Sequence, residues 1–243
     1  MRLFRRRFPF FAVIVLFAAL LIGCGGQQPD EATSQQATSD TSATGPVTVP
    51  AARTGGAATR DTAGWQIRPD QADARRSDMT FEPGGDTLRV TSGPAAIYYH
   101  NEDTASVPFS ASAQFTQLER TEHPESYGIF FGGKALQSSN QRYTYFLVRQ
   151  DGQYLIKRRA GTRTSIIQGW TAHDAVRAMD GNQPLTNELA VSISRDSLRF
   201  MINDEQVASR PSAQRISENG QVGLRINHRL DLRVNGFQVS SGT

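Results

Sequence analysis

Residues 109–116 read FSASAQFT, and this stretch decides the fold class. Its apolar and polar side chains alternate, with Phe109, Ala111, Ala113 and Phe115 set against Ser110, Ser112, Gln114 and Thr116. Successive side chains of a β-strand point to opposite faces, so a period of two predicts a strand with one apolar and one polar face. Such a strand covers a hydrophobic core with one side and meets water with the other.

The same alternation returns three times toward the C-terminus, at Leu189–Ile193, Leu198–Ile202 and Val222–Ile226. Turn residues separate the runs, and Asp151-Gly152 predicts a tight hairpin between two β-rich segments. Helical periodicity is confined to residues 172–179, where one or two turns are expected. Roughly ten short strands without helical crossovers predict an all-β, two-sheet antiparallel sandwich.

A second pattern precedes this region at the N-terminus. Four arginines among residues 2–7 lead into an apolar run over residues 8–22, which ends at Gly23-Cys24. About 15 apolar residues are too few for a spanning helix, so residues 1–23 are predicted to be a secretory signal peptide. An uncleaved membrane anchor is the alternative.

Leu21-Ile22-Gly23-Cys24 resembles the lipobox of bacterial lipoproteins. The resemblance implies cleavage after Gly23 and attachment of fatty acids such as palmitate to Cys24, which would anchor the chain to a membrane of the cell envelope. The glycines after Cys24 do not match the inner-membrane retention signal, so the resemblance favours the outer membrane. Residues 24–64 are rich in Gly, Ala, Ser, Thr and Gln and predict a disordered tether, which leaves residues 65–243 for the folded domain.

Charge argues against a polycationic domain. The whole chain carries 26 basic and 23 acidic residues, and loss of the signal peptide leaves 26 − 4 = 22 basic residues and a net charge of −1. No nucleic-acid partner is therefore expected, because such binding needs a basic footprint that only a local cluster could supply. Cys24 is the only cysteine, so the domain has no disulfide and no cysteine metal site.

The order of motifs also resembles a known fold family. Residues 127–132 read YGIFFG, 143–148 read YTYFLV, 154–158 read YLIKR, and 220–224 read GQVGL. This series resembles concanavalin A-like jelly-roll domains, in particular the bacterial 3-keto-disaccharide hydrolase-like group, which is related to laminin-G and legume-lectin sandwiches. The resemblance covers residues 65–240 and implies a jelly roll that either binds or hydrolyses sugars. Ser126-Tyr127-Gly128 stands where that group usually has Asn-Ser-Gly.

Catalytic chemistry is not indicated by the acids or histidines. Glu119, Glu122 and Glu125 form the most obvious acid cluster, but their polar surroundings predict a solvated loop. The four histidines lack metal-site spacing, and nothing resembles a nucleophile elbow or a cofactor fingerprint. We therefore predict no catalytic residue, no metal and no cofactor from the sequence.

A sugar-binding surface needs an aromatic side chain for stacking and polar groups for hydroxyls. Tyr143, Tyr145 and Arg149 share one strand face, opposite Phe146 and Val148. The other candidates are Arg199 and Arg225, which alternation points away from the core, and Trp170, which follows a glycine. The tyrosines could instead pack in the core or at an edge, the arginines could serve solubility, and Trp170 could cap the sandwich.

Three functions remain open from the sequence. The first is binding of glycans or cell-envelope polysaccharide by a membrane-anchored domain. The second is a glycoside hydrolase or lyase of the keto-sugar group, and the third is a non-catalytic envelope scaffold or protein-interaction module. A close pair of carboxylates in a deep groove would favour the enzyme, whereas a face lined by Tyr and Arg would favour binding.

Overall fold

Strand formation begins at Trp65 in the computed structural model, which describes residues 62–71, 73–212 and 218–242. The predicted signal peptide, Cys24 and nearly all of the predicted tether lie outside the described residues. Two single-turn 3₁₀ helices, Thr62–Gly64 and Arg76–Asp78, flank the first strand. Within the described ranges, no helix is long and apolar enough to cross a membrane.

One sheet has eight strands. They are β1 (Trp65–Pro69), β4 (Ala96–His100), β5 (Thr104–Ala105), β7 (Ser126–Lys134), β8 (Arg142–Arg149), β9 (Gln153–Ala160), β10 (Arg163–Ala172) and β14 (Gly220–Ile226). Their order is β1-β4-β14-β7-β8-β9-β10, with the short β5 paired to β14.

The other sheet has seven strands. They are β2 (Thr80–Gly84), β3 (Thr87–Thr91), β6 (Phe109–Gln117), β11 (Leu185–Ile193), β12 (Ser197–Ile202), β13 (Glu205–Pro211) and β15 (Asp231–Ser241). Their order is β13-β12-β11-β6-β15-β3-β2, and every pairing in both sheets is antiparallel.

The hydrophobic core lies between the inner faces of the two sheets. In β6 the buried and partly exposed residues alternate as the FSASAQFT pattern predicts, and Phe115 is fully buried. Phe200 and Leu224 are also fully buried in this core. Each such side chain contributes about 1.5–3 kcal/mol by leaving water. The predicted two-sheet antiparallel sandwich is therefore confirmed.

Tight turns join the strands where the sequence places turn residues. The predicted Asp151-Gly152 hairpin connects β8 to β9, with Gly152 at a φ of 82°. Asn203 and Asp204 connect β12 to β13 with φ values of 48° and 68°. Positive φ at both central residues is the hairpin geometry that Asn and Asp tolerate best.

Residues 172–179 are not helical, so that prediction is wrong. His173 to Met179 follow β10 as an irregular segment with one turn. The side chain of Asn187 accepts from the amide of Arg177 and donates to its carbonyl, and the amide of Met179 donates to the carbonyl of Gln150. These tertiary hydrogen bonds satisfy backbone groups that a helix would have paired internally.

Candidate functional site

A second apolar cluster covers the outer face of the eight-stranded sheet, where polar side chains would be usual. Tyr145 lies opposite Phe130 in the register, and both point away from the core that Phe146 and Val148 enter. The full cluster consists of Ile97, Tyr99, Phe130, Leu136, Tyr143, Tyr145, Leu147 and Leu155. This face is therefore the unusual surface of the sandwich.

Gly223 makes room for the centre of this cluster. It lies in β14 between Tyr99 of β4 and Phe130 of β7, whose ring centroids are 6.2 Å apart. A Cβ atom on Gly223 would come within 2.6 Å of the Phe130 ring and 2.4 Å of the carbonyl oxygen of Tyr98. A glycine inside a strand often marks such a close approach.

The two predicted tyrosines are packing residues in this arrangement. Tyr143 is 1% exposed and Tyr145 is 8% exposed, and their ring centroids lie 5.7 Å apart. Burial raises the pKa of Tyr145 to about 12, so its hydroxyl is protonated at neutral pH. An open stacking surface must therefore come from another residue.

A buried ion cluster lies beside the tyrosines. Arg225 donates from both terminal nitrogens to Asp70, at 2.6 Å to Oδ1 and 2.7 Å to Oδ2, and its side chain is only 8% exposed. The guanidinium carbon of Arg225 also lies 5.9 Å from the Tyr145 ring centroid. Arg159 approaches Asp70 Oδ1 at 2.9 Å. Two arginines and one carboxylate leave an excess positive charge at this point.

Asp70 stays ionised in this cluster. Burial opposes its charge, but the hydrogen bonds and charges of Arg225 and Arg159 outweigh that effect and lower the pKa of the carboxyl. Sequence reasoning missed Asp70, since it follows the first strand and meets a partner 155 residues away. No local pattern signals such a pairing.

Trp170 supplies the exposed aromatic surface. It lies on the edge strand β10 and is 38% exposed. The register shifts between Gln168 and Thr171, so that a bulge carries Trp170 outward. The guanidinium carbon of Arg149 lies 4.3 Å from the Trp170 ring centroid, and Arg149 Nε donates to Asp151 Oδ1 at 2.7 Å.

Arg199 does not join this group. It lies on β12 of the seven-stranded sheet, opposite Ser192 and Ser209, on the other side of the sandwich. The structure therefore brings five of the six candidate residues to one sheet face and leaves Arg199 on the other.

A cavity of about 410 Å³ opens beside the same face. Its walls are formed by Tyr99, Gly133, Ala135, Leu136, Gln137, Ser138 and Gln221. Gln137 Nε2 donates to the Tyr99 hydroxyl at 2.7 Å, and Ala135 has a φ of 50°, which is uncommon outside glycine. Volumes of 300–1,000 Å³ are typical of small-ligand pockets. The sequence held no signal for this cavity, because a loop builds it against two distant strands.

The predicted acid cluster lies in a solvated loop, whereas His100 ends strand β4 and does not lie on the surface. Glu119 and Glu122 are exposed between β6 and β7. His100 is buried against Trp65, with ring centroids 5.8 Å apart. Across the described part of the chain, no three His, Cys, Asp or Glu residues are grouped to hold a metal ion.

No protein-family model matches this sequence, and no curated protein matches it either. Solved structures do resemble it. The carbohydrate-binding module CBM66 from Bacillus subtilis has a TM-score of 0.54 at 12% identity, over 73% of this chain and 96% of that one. A Bacillus subtilis protein of unknown function with a galectin-like fold has a TM-score of 0.54 at 10% identity, over 76% of this chain and 93% of that one.

At such low identity these likenesses show the fold alone. The chain has the jelly-roll sandwich architecture shared by galectin-like domains and CBM66. The narrower resemblance to the 3-keto-disaccharide hydrolase-like group stays a prediction.

Proposed function

We propose that the sandwich binds glycans on the outer face of its eight-stranded sheet. The exposed Trp170 ring, held in place by Arg149 at 4.3 Å, is the observation that carries this proposal. Exposed aromatic rings bind the apolar faces of sugars, and a guanidinium on one ring face leaves the other face for a ligand. The jelly-roll architecture of CBM66, a carbohydrate-binding module, supports the same proposal.

Polar groups for sugar hydroxyls surround Arg149, which contacts the Trp170 ring. Asp151 accepts from Arg149 through Oδ1 and from Gln153 Nε2 through Oδ2 at 3.2 Å. Each carboxylate oxygen can accept more than one hydrogen bond, so Asp151 keeps acceptor capacity for a hydroxyl. The side chain is about one quarter exposed. A stacking ring and a fixed acceptor that are held by the same arginine supply the two kinds of contact that orient a sugar.

The cavity next to Tyr99 offers a second contact region on this side of the molecule. Gln137 and Gln221 line it, and Leu136 anchors its loop in the outer apolar cluster. Amide side chains both donate and accept hydrogen bonds, which suits sugar hydroxyls. We place one sugar unit at Trp170 and propose that the cavity binds another unit of the same glycan.

Binding is proposed in preference to hydrolysis because the strands of this sheet lack the pair of carboxyl groups that a glycosidase needs. The eight strands of this sheet contain no aspartate and no glutamate. Asp70, beside the tyrosines, is clamped by two arginines that lower its pKa, so it is a poor proton donor at neutral pH. A glycosidase needs a pair of carboxyls, one of them protonated.

Anchoring to a membrane through a lipid is part of the same proposal. Acyl chains on Cys24 would hold the domain at a membrane, and a flexible tether of about 40 residues would give it a reach on the order of 35 Å. Labelling with a palmitate analogue in the producing cell tests this part. Incorporation that persists in Cys24→Ser would contradict it.

A glycan array probed with the purified full-length chain tests the binding function. We expect Trp170→Ala to weaken retention of the bound glycans roughly tenfold or more, because a central aromatic contact is lost. Arg199→Ala is the matched control on the opposite sheet and should bind like the wild type. Release of reducing ends from the same glycans would favour the hydrolase, and an array without bound glycans would contradict the proposal.

A further inference from the structure

The strands of the two sheets differ sharply in charge. The eight-stranded sheet carries nine basic residues and no acid on its strands, namely Arg68, Lys134, Arg142, Arg149, Lys157, Arg158, Arg159, Arg163 and Arg225. The seven-stranded sheet carries four basic residues, Arg89, Arg199, Arg210 and Arg233, and four acids, Glu82, Glu188, Glu205 and Asp231. The basic excess is therefore confined to one sheet.

Three of these cations crowd one end of the sheet. Lys134 of β7 lies directly opposite Arg142 of β8, and Ala160 of β9 continues the same row to Arg163 of β10. The row spans three strand spacings, or about 14 Å. Like charges placed directly opposite each other destabilise a sheet, so this arrangement calls for a compensating charge.

The described residues do not supply that charge. Lys134, Arg142 and Arg163 are all exposed, and none of them forms an ion pair with another described residue. By contrast, Arg89 on the other sheet pairs with Asp231 at 2.6 Å. An external anion is the natural partner for the unpaired row.

The basic residues continue onto the proposed sugar-binding face. Lys157 lies between Tyr145 and Ile166 in the register, and its side chain shares their outward direction. Arg159 lies two residues further along β9, toward the basic row. A ligand stacked at the edge strand would therefore meet cations along its path to the Lys134 end.

We infer that the ligand of this face is an anionic polysaccharide, one bearing carboxylate, sulfate or phosphate groups, rather than a neutral glycan. This inference rests on the proposed glycan-binding function. The favoured partner is a polysaccharide rather than a membrane or a nucleic acid, because Lys157 extends the positive charge from this end of the sheet onto the face that carries the exposed Trp170 ring. Clustered cations raise the local concentration of such a polymer and its association rate.

Matched polymers test the inference with the purified full-length chain. The probes are polygalacturonate against its methyl ester, and dextran sulfate against dextran, each at low and high salt. We expect the charged member of at least one pair to bind roughly tenfold tighter, and the difference to shrink at high salt because exposed charges are screened.

Two triple variants locate the effect. Lys134→Gln/Arg142→Gln/Arg163→Gln should remove most of the preference, and because all three side chains are exposed the fold should remain. The control Arg89→Gln/Arg199→Gln/Arg233→Gln removes the same charge from the other sheet and should retain the preference. Equal loss in both variants would show non-specific attraction and overturn the inference.

The remaining outcomes separate the inference from the function beneath it. Equal binding of charged and neutral polymers, weakened by Trp170→Ala, would refute the anionic ligand and leave glycan binding intact. Absence of binding to every polymer and to the glycan array would refute both. Tighter binding to phosphatidylglycerol vesicles, or to an oligonucleotide, would assign the cations to a membrane or a nucleic acid and overturn the inference.

Discussion

On the outer face of the seven-stranded sheet, neighbouring strands present short polar side chains such as Ser112 and Thr116, whereas the eight-stranded sheet presents Tyr143 and Phe130 at its centre. Both sheets bury their inner faces in the same core. The core alone therefore accounts for the inner alternation of both sheets and leaves the outer aromatic cluster unexplained. That cluster is itself buried, with Tyr143 1% exposed and Phe130 fully buried, so it is a second packing layer rather than an open patch.

One ion pair on the outer face of each sheet allows the two faces to be compared residue by residue. Asp70 and Asp231 have equally exposed side chains, 26% each, and both bind an arginine at 2.6 Å. Their partners differ, since the Arg225 side chain is 8% exposed and that of Arg89 is 38% exposed. The loss of folding stability on removing each carboxylate should therefore depend on how exposed the remaining guanidinium is.

The largest expected effect is that of Asp70→Ala on stability. Removing one partner of a buried pair leaves a desolvated charge and costs about 3–5 kcal/mol, and the partial exposure of Asp70 places the expectation at the lower end. Urea unfolding of the full-length chain at neutral pH measures this free energy.

Asp231→Ala is its matched control. The partly exposed pair with Arg89 is worth about 0–1 kcal/mol, because water solvates the arginine when the carboxylate is gone. Similar losses in the two variants would mean that the two faces do not differ in burial as described.

A smaller loss of folding stability is expected from Gly223→Ala, which tests the close packing of the outer aromatic cluster. The added methyl group would lie 2.4 Å from the Tyr98 carbonyl oxygen, so backbone or ring must shift, at a cost of about 1–3 kcal/mol. Gly169→Ala in β10 is the control, since its Cβ would meet no atom within 4 Å. Thermal unfolding of the two variants compares them, and an unaffected Gly223→Ala would show a loose cluster.

The inner faces were predictable because their signal is local. Alternation in β6 and β11 depends only on neighbouring residues, and both strands bury the side chains that the pattern selects. The hairpin at Gly152 was predictable for the same reason, since the turn chemistry is contained in two adjacent residues.

The outer face was predictable only in part. Alternation placed Tyr143 and Tyr145 away from the core, but their burial depends on strands that lie far away in the sequence, such as β14 with Arg225. Arg199 shows the same limit, because its outward direction follows from local alternation while the sheet that carries it follows from strand order. Asp70 was missed because it pairs with Arg225 only when folding brings the end of β1 close to β14.

The smallest expected effect is a change in folding stability at acidic pH. The Asp70 carboxyl has a lower pKa in the folded chain than the value of about 3.9 typical of an unfolded chain, because Arg225 and Arg159 outweigh the effect of burial. Its contribution to stability is therefore complete above about pH 5 and is lost as the pH falls below about 4 toward the folded pKa. We expect the stability difference between wild type and Asp70→Asn to be constant near neutral pH and to shrink in this acidic range, as measured by urea unfolding at stepped pH. The effect should be smaller than that of Asp70→Ala, since a protonated Asp70 still offers oxygen atoms to Arg225. Parallel loss of stability in the two proteins from pH 5 to pH 2 would show that the pair on this face titrates like an ordinary surface carboxylate, and the contrast with the seven-stranded sheet would then lose its electrostatic basis.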